Sequence, residues 1–288
     1  MTIYENGLSA NRANYAPLTP VDFLDRAATT WPQKVAIIHG DIRCTYLEFN
    51  RRCRQMASAL DRRGIQKGDV IAIIAPNTPA MLEAHYGVVM AGAVLNALNY
   101  RLDPAAIAFI LEHGGAKILF VDKEFSVVIE QAVAMMKAPP VLIGIDDDLV
   151  PGLRVLGDKD YEEFLAEGDP NYEWPRVHDE WDSMALNYTS GTTGNPKGVV
   201  FHHRGAFLNA MGNAIAFGLD SSSCYLWTLP MFHCNGWTFT WAVTAVGGTH
   251  VCLRSVDPVL IFELIDQHKV SPVSYTHLRA HETREELV

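Results

Sequence analysis

Cysteine is scarce in this sequence, and acidic residues outnumber basic ones. The five cysteines are an odd number, and no two have the C-x-x-C spacing of a zinc or redox site. We therefore expect reduced thiols in a cytosol-like compartment, with neither a disulfide framework nor a zinc site. Lysine and arginine number 23 against 33 aspartates and glutamates, a net charge of −10. This balance argues against nucleic acid or an anionic membrane surface as a partner.

Long apolar runs are also missing. The most apolar window, residues 81–98, is interrupted by Glu83 and His85 and is too polar for a transmembrane span. Residues 1–15 are polar and lack the apolar core of a signal peptide. We therefore predict a cytoplasmic protein without a transmembrane segment, and the pattern leaves its oligomeric state open.

The sequence does contain a regular alternation of strand and helix patterns. A continuous apolar run at residues 70–74 is typical of a strand covered on both faces. Thr45 and Glu48 have the spacing of a capping box, and Thr19 precedes Pro20 as the cap of a first helix would. Helix signals separate the strand signals, which predicts an α/β fold with largely parallel, doubly wound sheets. The predicted strands of this first series lie at residues 35–38, 43–46, 70–74, 93–98, 117–121 and 141–145.

Two such α/β series are separated by residues 146–180, which are acidic and rich in turns around one short predicted helix. We predict two layered subdomains, a first over residues 1–180 and a second, incomplete one over residues 181–273. After Val270 the rhythm predicts another apolar strand, but residues 274–288 are polar and aperiodic. We interpret those last residues as a non-native tail.

Residues 188–198 are rich in hydroxyls and glycines and lie between two strand patterns that predict a hairpin-like unit. Glycines allow backbone conformations in which several amide N–H groups turn toward one anion. Short hydroxyls add donors, and the ammonium of Lys197 can follow a phosphate as its geometry changes. The alternative is a flexible surface loop with a chance lysine. The candidate phosphate-binding residues are Thr189, Ser190, Gly191, Thr192, Thr193, Gly194 and Lys197.

Two known motifs can be compared with this loop. A Walker A loop is excluded, because Lys197 is followed by Gly198 and not by Ser or Thr. The string Thr-Ser-Gly-Thr-Thr-Gly-x-Pro-Lys-Gly instead resembles, at every position, the phosphate-binding signature of the AMP-forming acyl-CoA synthetases. Residues 229–237 resemble a second segment of this adenylate-forming superfamily. The resemblance extends from about residue 4 to about residue 273.

The resemblance implies a function and a set of roles. Members of the family join a carboxylic acid to ATP, release pyrophosphate, and pass the acyl group from AMP to a thiol, usually that of CoA. The phosphate-loop positions inherit contacts to the β- and γ-phosphates, and Lys197 and His233 match catalytic positions. His233, Asn235, Gly236 and Trp237 match positions near the acid. For His233 the alternative is a core histidine that bonds a backbone carbonyl.

Three tryptophans close in sequence lead to a hypothesis about the acid. If Trp227, Trp237 and Trp241 surround one pocket, they leave little room for a long tail, so we expect a short- or medium-chain acid. The alternative is that Trp227 and Trp241 are ordinary core aromatics. His202 and His203 are expected to be surface or capping residues, and the arginines after Thr45 are expected to form the solvated face of their helix. Those arginines are Arg51, Arg52, Arg54, Arg62 and Arg63.

Several family motifs have no counterpart in this sequence. The family's magnesium-binding glutamate, ribose-binding aspartate and catalytic lysine would follow the last residue that shows the resemblance. We therefore predict a truncated large N-terminal domain that uses ATP, Mg²⁺ and CoA only as part of a longer enzyme, and is inactive alone. A second hypothesis is a non-catalytic remnant that binds an anion or a partner without turnover.

Overall fold

A computed structural model of the chain describes residues 2–4, 6–11, 13–189 and 196–271. Within this part of the chain ten strands form two sheets. In chain order the strands are β1 (Val35–His39), β2 (Ile42–Thr45), β3 (Val70–Ile74), β4 (Val94–Ala97), β5 (Ala116–Asp122), β6 (Val141–Ile145), β7 (Ser183–Tyr188), β8 (Gly198–His202), β9 (Cys224–Leu226) and β10 (Thr249–Val251).

The strand order confirms the predicted largely parallel architecture. The larger sheet has the order β6-β5-β3-β4-β7-β8, with every pair parallel except β7 and β8. The smaller has the order β2-β1-β10-β9, in which only β1 and β2 are antiparallel. The two predicted hairpins, β1–β2 and β7–β8, are therefore both present.

Helices fill the connections. They are α1 (Asp22–Thr30), α2 (Tyr46–Arg62), α3 (Pro79–Met90), α4 (Pro104–Gly114), α5 (Ser126–Ala134), α6 (Tyr161–Ala166), α7 (His203–Ala216), α8 (Cys234–Trp237), α9 (Phe239–Ala245) and α10 (Pro258–His268). No helix in the described ranges is long and apolar enough to cross a bilayer.

Local sequence signals explain where several helices begin. The capping box at α2 is present, with reciprocal bonds between Thr45 and Glu48. The prediction for α1 was wrong in detail, because this helix begins at Asp22 without a side-chain cap. Thr19 instead accepts the Val21 N–H at 3.3 Å and bonds the His203 ring at 2.9 Å.

The sheets do not divide the chain at residue 180. Strand β1 pairs with β10, Ile37 opposite His250, and β4 pairs with β7, Leu95 opposite Ala185. Each sheet thus takes strands from both sides of the predicted subdomain boundary, because sequence rhythm reports elements and not their pairing. The predicted tail, residues 274–288, lies outside the described residues.

Helices α2 and α3 pack against each other within a core that includes side chains from both sheets. Every residue of α3 after Pro79 is buried, which explains its lack of a polar face. Gly87 permits the close approach, since a Cβ there would lie 2.7 Å from Met56 Sδ. The N-terminal part of the chain and the strands after residue 183 therefore share one interior.

The expectation that the α2 arginines only face solvent was wrong for two of them. The Arg52 guanidinium bonds the buried carboxylate of Glu83 at 2.6 Å and also pairs with Glu162 of α6. The Arg54 guanidinium pairs with Asp25 of α1 at 2.7 Å. Both arginines therefore connect α2 to its neighbours, a role that helical periodicity cannot reveal.

Candidate functional site

The β7–β8 hairpin holds the two ends of the predicted phosphate loop together. The Thr189 N–H donates to the Lys197 carbonyl at 3.0 Å, and the Lys197 N–H reaches Thr189 Oγ1 at 3.4 Å. The side chain of Lys197 is exposed, and its Nζ has no hydrogen bond or ion pair among the described residues. The other predicted phosphate-binding residues lie outside those described: Ser190, Gly191, Thr192, Thr193 and Gly194.

At the two ends of the loop, the hydrogen bonds within the hairpin determine which described groups are available to bind an anion. The Thr189 amide is used within the hairpin, so it cannot also bind a phosphate. The Thr189 hydroxyl accepts from Lys197 through its oxygen and keeps its hydrogen for donation. No described residue bonds the Lys197 ammonium, which has three donors. The described ends of the loop therefore fit a phosphate through one hydroxyl and one mobile cation.

The second predicted segment contains an unusual backbone turn. Five consecutive residues, 234–238, have positive φ, with values of 46°, 47°, 59°, 52° and 64°. Only one of them, Gly236, is a glycine, and a left-handed conformation costs other residues about 1–2 kcal/mol each. Such strain persists where the surrounding structure enforces it, and it is concentrated at functional sites. We refer to residues 234–238 as the left-handed turn.

The predicted acid-contacting residues differ in exposure. His233 and Trp237 are exposed, Trp237 by 55%, whereas Asn235 and Gly236 are buried. The His233 N–H donates to the Pro230 carbonyl, and its own carbonyl accepts from Gly236. His233 is therefore not a core histidine in this structure. Its imidazole lies at the surface of the turn, where a ligand can reach it.

Asn187 and Asn235 join the two family-like segments. Asn187 is in β7, two residues before Thr189, and its Nδ2 donates to Asn235 Oδ1 at 2.5 Å across 48 residues of sequence. The other amide atoms of the pair, Asn187 Oδ1 and Asn235 Nδ2, are buried without a described partner. If both amides are rotated, one donor and one acceptor are still left unpaired. A polar ligand that binds beside both segments can pair with this donor and this acceptor.

A residue that the sequence reasoning missed holds the segment before His233. Asn77 follows β3, and its Nδ2 donates to the carbonyls of Trp227 and Leu229 at 2.8 and 3.1 Å. Its Oδ1 accepts the N–H of Met231 at 2.8 Å. Its position in the sequence was the available signal, because a polar residue within a few positions of the end of a parallel strand lies at the edge where such sheets bind ligands.

The three tryptophans do not share one environment. Trp227 and Trp241 are fully buried, while Trp237 is half-exposed. Trp241 packs edge-on against His85, 5.7 Å between ring centroids, and Trp227 packs against His250. Trp227 and Trp241 are therefore core aromatics, which agrees with the alternative to a shared acyl pocket. Trp237 lies on the left-handed turn.

A cavity of about 230 Å³ lies at the carboxyl ends of strands from both sheets. Its lining includes Asn77, Tyr100 and Trp227, together with two arginines, Arg101 and Arg254. Burial alone would lower the pKa of Arg254, but bonds to Asp122 and Glu124 raise it, so its charge is fixed. This cavity adjoins the segment that Asn77 holds and belongs to the same edge of the fold.

A larger cleft of about 780 Å³ lies elsewhere. It is bounded by β2, α2, the start of α3 and the loop after β6. Among the described residues that line it, none is a predicted site residue. Size alone therefore does not identify the site, and the contact between Asn187 and Asn235, which lie close in sequence to Thr189 and His233, is the better guide.

The adjacent histidines have separate structural roles. His202 caps α7, with its Nδ1 accepting the Gly205 N–H at 2.9 Å, so the capping prediction for it is confirmed. His203 is buried, and burial lowers its pKa to about 4. The described part of the chain contains no group of three or more His, Cys, Asp or Glu placed to hold a metal ion.

Comparison with known proteins assigns the family. Residues 24–277 match the family described as AMP-binding enzyme. The chain belongs to this family. It is 46% identical over 271 residues to a peroxisomal acetate/butyrate–CoA ligase of Arabidopsis thaliana, with 90% of this chain and 48% of the relative covered. It is 45% identical over 277 residues to an acetate–CoA ligase of Humulus lupulus, with 92% and 49% covered.

Solved structures agree with the fold. The inhibitor-bound N-terminal domain of FACL13 from Mycobacterium tuberculosis is similar with a TM-score of 0.75 and 28% identity, over 88% of this chain and 61% of that one. O-succinylbenzoate CoA synthetase from Bacillus subtilis, in complex with AMP, gives a TM-score of 0.72 and 25% identity, over 86% and 60%. The chain spans about half the length of the curated relatives it matches.

Proposed function

We propose that this chain contributes the phosphate-loop half of an enzyme that activates a carboxylic acid with ATP and transfers the acyl group to CoA. The observation that carries the proposal is the buried bond between Asn187 and Asn235, which brings the end of β7 against the left-handed turn. In support of the proposal, this contact brings Asn187, two residues before Thr189, next to Asn235 of the His233–Trp237 segment. The two named relatives are CoA ligases.

Roles follow from what each group can do chemically. Lys197 and the phosphate-loop residues Thr189 to Gly194 bind the β- and γ-phosphates of ATP and offset the charge that develops as pyrophosphate leaves. His233 contacts the reacting carboxylate or the phosphate. Asn235, Gly236 and Trp237 line the acyl site. Mg²⁺, when bound, neutralises phosphate charge, and we expect its ligand outside this chain.

For the acid we propose a short or medium chain. The relatives are named for acetate and butyrate, and a third, from Humulus lupulus, is named for 2-methylpropanoate. In this chain the acyl site is bounded by the half-exposed Trp237 and not by three tryptophans. Acyl-chain profiling of a full-length relative with this segment tests the proposal, and highest activity with palmitate would contradict it.

The compartment is also a proposal. The sequence predicts the cytoplasm, whereas two relatives, the acetate/butyrate–CoA ligase of Arabidopsis thaliana and a trans-cinnamate–CoA ligase of Petunia hybrida, are named as peroxisomal. We propose that the protein is located in the cytoplasm. Fluorescence microscopy of the tagged protein expressed from its own gene tests it, and punctate organellar signal would overturn it.

The test of nucleotide binding uses Lys197. Its side chain has no described partner, so Lys197→Ala should leave stability unchanged while it removes one charge-assisted contact to phosphate. We expect the affinity for ATP, measured by NMR titration of the chain, to fall about tenfold, which corresponds to about 1.4 kcal/mol. Lys137→Ala, another exposed lysine, is the matched control and should bind as the wild type does.

Two outcomes would overturn this assignment. The first is equal ATP affinity in the wild type and Lys197→Ala. The second is no binding of ATP by the folded wild-type chain even at millimolar concentration, because a chain that keeps the phosphate loop is expected to bind ATP weakly although it does not turn it over. This outcome would favour the non-catalytic alternative. ATP–pyrophosphate exchange with a panel of acids then separates binding from turnover, and we expect the chain alone to show almost none.

A further inference from the structure

His250, in the middle of β10, belongs to a network of buried hydrogen bonds and ring contacts that reaches the left-handed turn. The indole N–H of Trp227 donates to His250 Nδ1 at 3.1 Å, and His250 Nε2 lies 3.0 Å from Thr244 Oγ1. The Trp227 and His250 rings are parallel within 8°, with centroids 5.9 Å apart. All three residues are fully buried.

These partners fix the tautomer of His250. An indole N–H can only donate, so Nδ1 of His250 must be the unprotonated nitrogen, and the ring proton is on Nε2. Nε2 then donates to Thr244 Oγ1, which leaves the Thr244 hydroxyl hydrogen for the carbonyl of Thr240, 3.4 Å away. A second proton on the ring would face the Trp227 N–H. Burial lowers the pKa of His250 to about 3, in agreement with a neutral ring.

Both ends of this hydrogen-bond chain contact the left-handed turn. At one end Thr240 Oγ1 donates to the Asn235 carbonyl at 3.1 Å. At the other end the Trp227 ring lies against Gly236, where a Cβ would be 2.7 Å from the ring. His250 is thus connected to two neighbouring residues of the turn along two separate routes.

We propose that His250 is a positioning residue for the acyl site, because it fixes Trp227 and Thr240 and through them the backbone of the left-handed turn. The ligand in this statement depends on the proposed function, whereas the contacts do not. The turn requires such support, since four of its five residues are not glycine and the left-handed conformation is unfavourable for each of them. No sequence motif identified His250.

Two substitutions separate the hydrogen bonds from the packing. His250→Phe keeps a ring of similar size against Trp227 but removes both the acceptor and the donor. His250→Gln offers an acceptor oxygen and an N–H donor, and should restore the chain from Trp227 to Thr244. We expect the left-handed turn to change position in His250→Phe and to keep its position in His250→Gln.

The position of the turn can be read by NMR on the whole chain. Labelling with ¹⁵N-tryptophan gives indole signals from six residues, and Trp227→Phe assigns one of them. In His250→Phe we expect the Trp227 and Trp237 signals to move while Trp174, whose indole bonds Asp25 at 3.3 Å in another part of the core, stays in place. His250→Gln should return both. Unmoved Trp227 and Trp237 signals in His250→Phe would overturn the proposal.

A wild-type measurement protects the test against a variant that fails to fold. ¹⁵N-histidine spectra of the chain distinguish a protonated from an unprotonated Nδ1. A neutral ring with its proton on Nε2 supports the assignment. A proton on Nδ1 overturns it, because Trp227 could not then donate to that nitrogen.

Ligand binding connects the turn to the acyl site. The probes are AMP and a butyryl-adenylate analogue with a non-hydrolysable sulfamoyl linkage. We expect His250→Phe to weaken the analogue about tenfold and AMP less than twofold, with His250→Gln close to the wild type. Equal losses for both probes, or none, would overturn the positioning role. If the wild type binds neither probe, the proposed function fails, and the tautomer and indole signals still decide whether His250 fixes the turn.

Discussion

Asn77 and Met231 are joined by a 2.8 Å hydrogen bond from a backbone N–H to a side-chain oxygen, across 154 residues of sequence. The same carboxamide donates to two further carbonyls of that segment. One side chain, three residues after the end of β3, therefore bonds three backbone groups of this segment. The path of the chain toward His233 depends on it.

Asn77→Leu should destabilise the protein by at least about 2 kcal/mol, because a buried polar group without a partner costs about 1–3 kcal/mol. The measurement is the midpoint of urea unfolding, with the slope unchanged. Asn171→Ala, at an exposed asparagine, is the control and should stay within about 0.5 kcal/mol. Equal midpoints for the two variants would show that Asn77 is dispensable.

Two glycines provide a matched pair for the turn. Gly236→Ala should cost about 2–4 kcal/mol, since the new methyl group meets Trp227 at 2.7 Å and φ is +59°. Gly212→Ala, in α7 with nothing within 4 Å of the new Cβ, should be neutral or stabilise by up to about 1 kcal/mol. Thermal unfolding of both variants distinguishes them, and a stable Gly236→Ala would argue against the left-handed turn.

Glu83 is the buried acceptor for both Arg52 and Tyr161, at 2.6 Å each. Glu83→Leu leaves the Tyr161 phenol without its partner and the Arg52 guanidinium with only the exposed Glu162, and should cost about 3 kcal/mol in unfolding free energy. Asp266→Asn removes the exposed partner of Lys269 and should change stability by less than about 0.5 kcal/mol. A similar loss in both would mean that burial of the Arg52 pair is unimportant.

Buried neutral histidines predict sensitivity to acid. Burial lowers the pKa of His203 to about 4, against about 6.5 in the unfolded chain. Between these values the unfolded chain takes up a proton that the folded chain does not. The stability is therefore complete above pH 6.5 and falls as the pH decreases toward 4, by up to about 1.4 kcal/mol per pH unit.

His203→Gln should reduce that slope by about one proton, because glutamine can still bond Thr19 but does not titrate. Urea unfolding at a series of pH values between 6.5 and 4.5 gives the slope. His178→Gln, at an exposed position, should leave it unchanged. An unaltered slope in His203→Gln would contradict the assignment of a neutral buried ring.

The sequence was sufficient to predict several helices and strands because the signals for them are local. The capping box at Thr45 and the apolar run of β3 both depend on neighbours in sequence. The phosphate-loop motif likewise lies within a dozen residues. The capping box and the strand at residues 70–74 are confirmed, whereas most of the phosphate loop lies outside the described residues.

What could not be predicted depends on long-range pairing. Asn77 is 154 residues from Met231, and His250 meets Trp227 through a strand pairing that no periodicity specifies. The positive φ of Cys234, Asn235, Trp237 and Thr238 is enforced by their surroundings and is disfavoured by their own side chains. Arg52 resembles a surface residue on α2 until α3 and α6 are packed against it.

The pairing of β1 with β10 has a consequence for how the protein forms. Ile37 is made early and His250 more than two hundred residues later. A ribosome-bound chain must therefore carry its first hairpin without β10 as a neighbour until residue 249 and those after it are made. Closing so long a loop is slow, and an unaccompanied strand edge invites aggregation. Premature termination before residue 249 should therefore yield insoluble material, even though the six strands of the larger sheet are already complete.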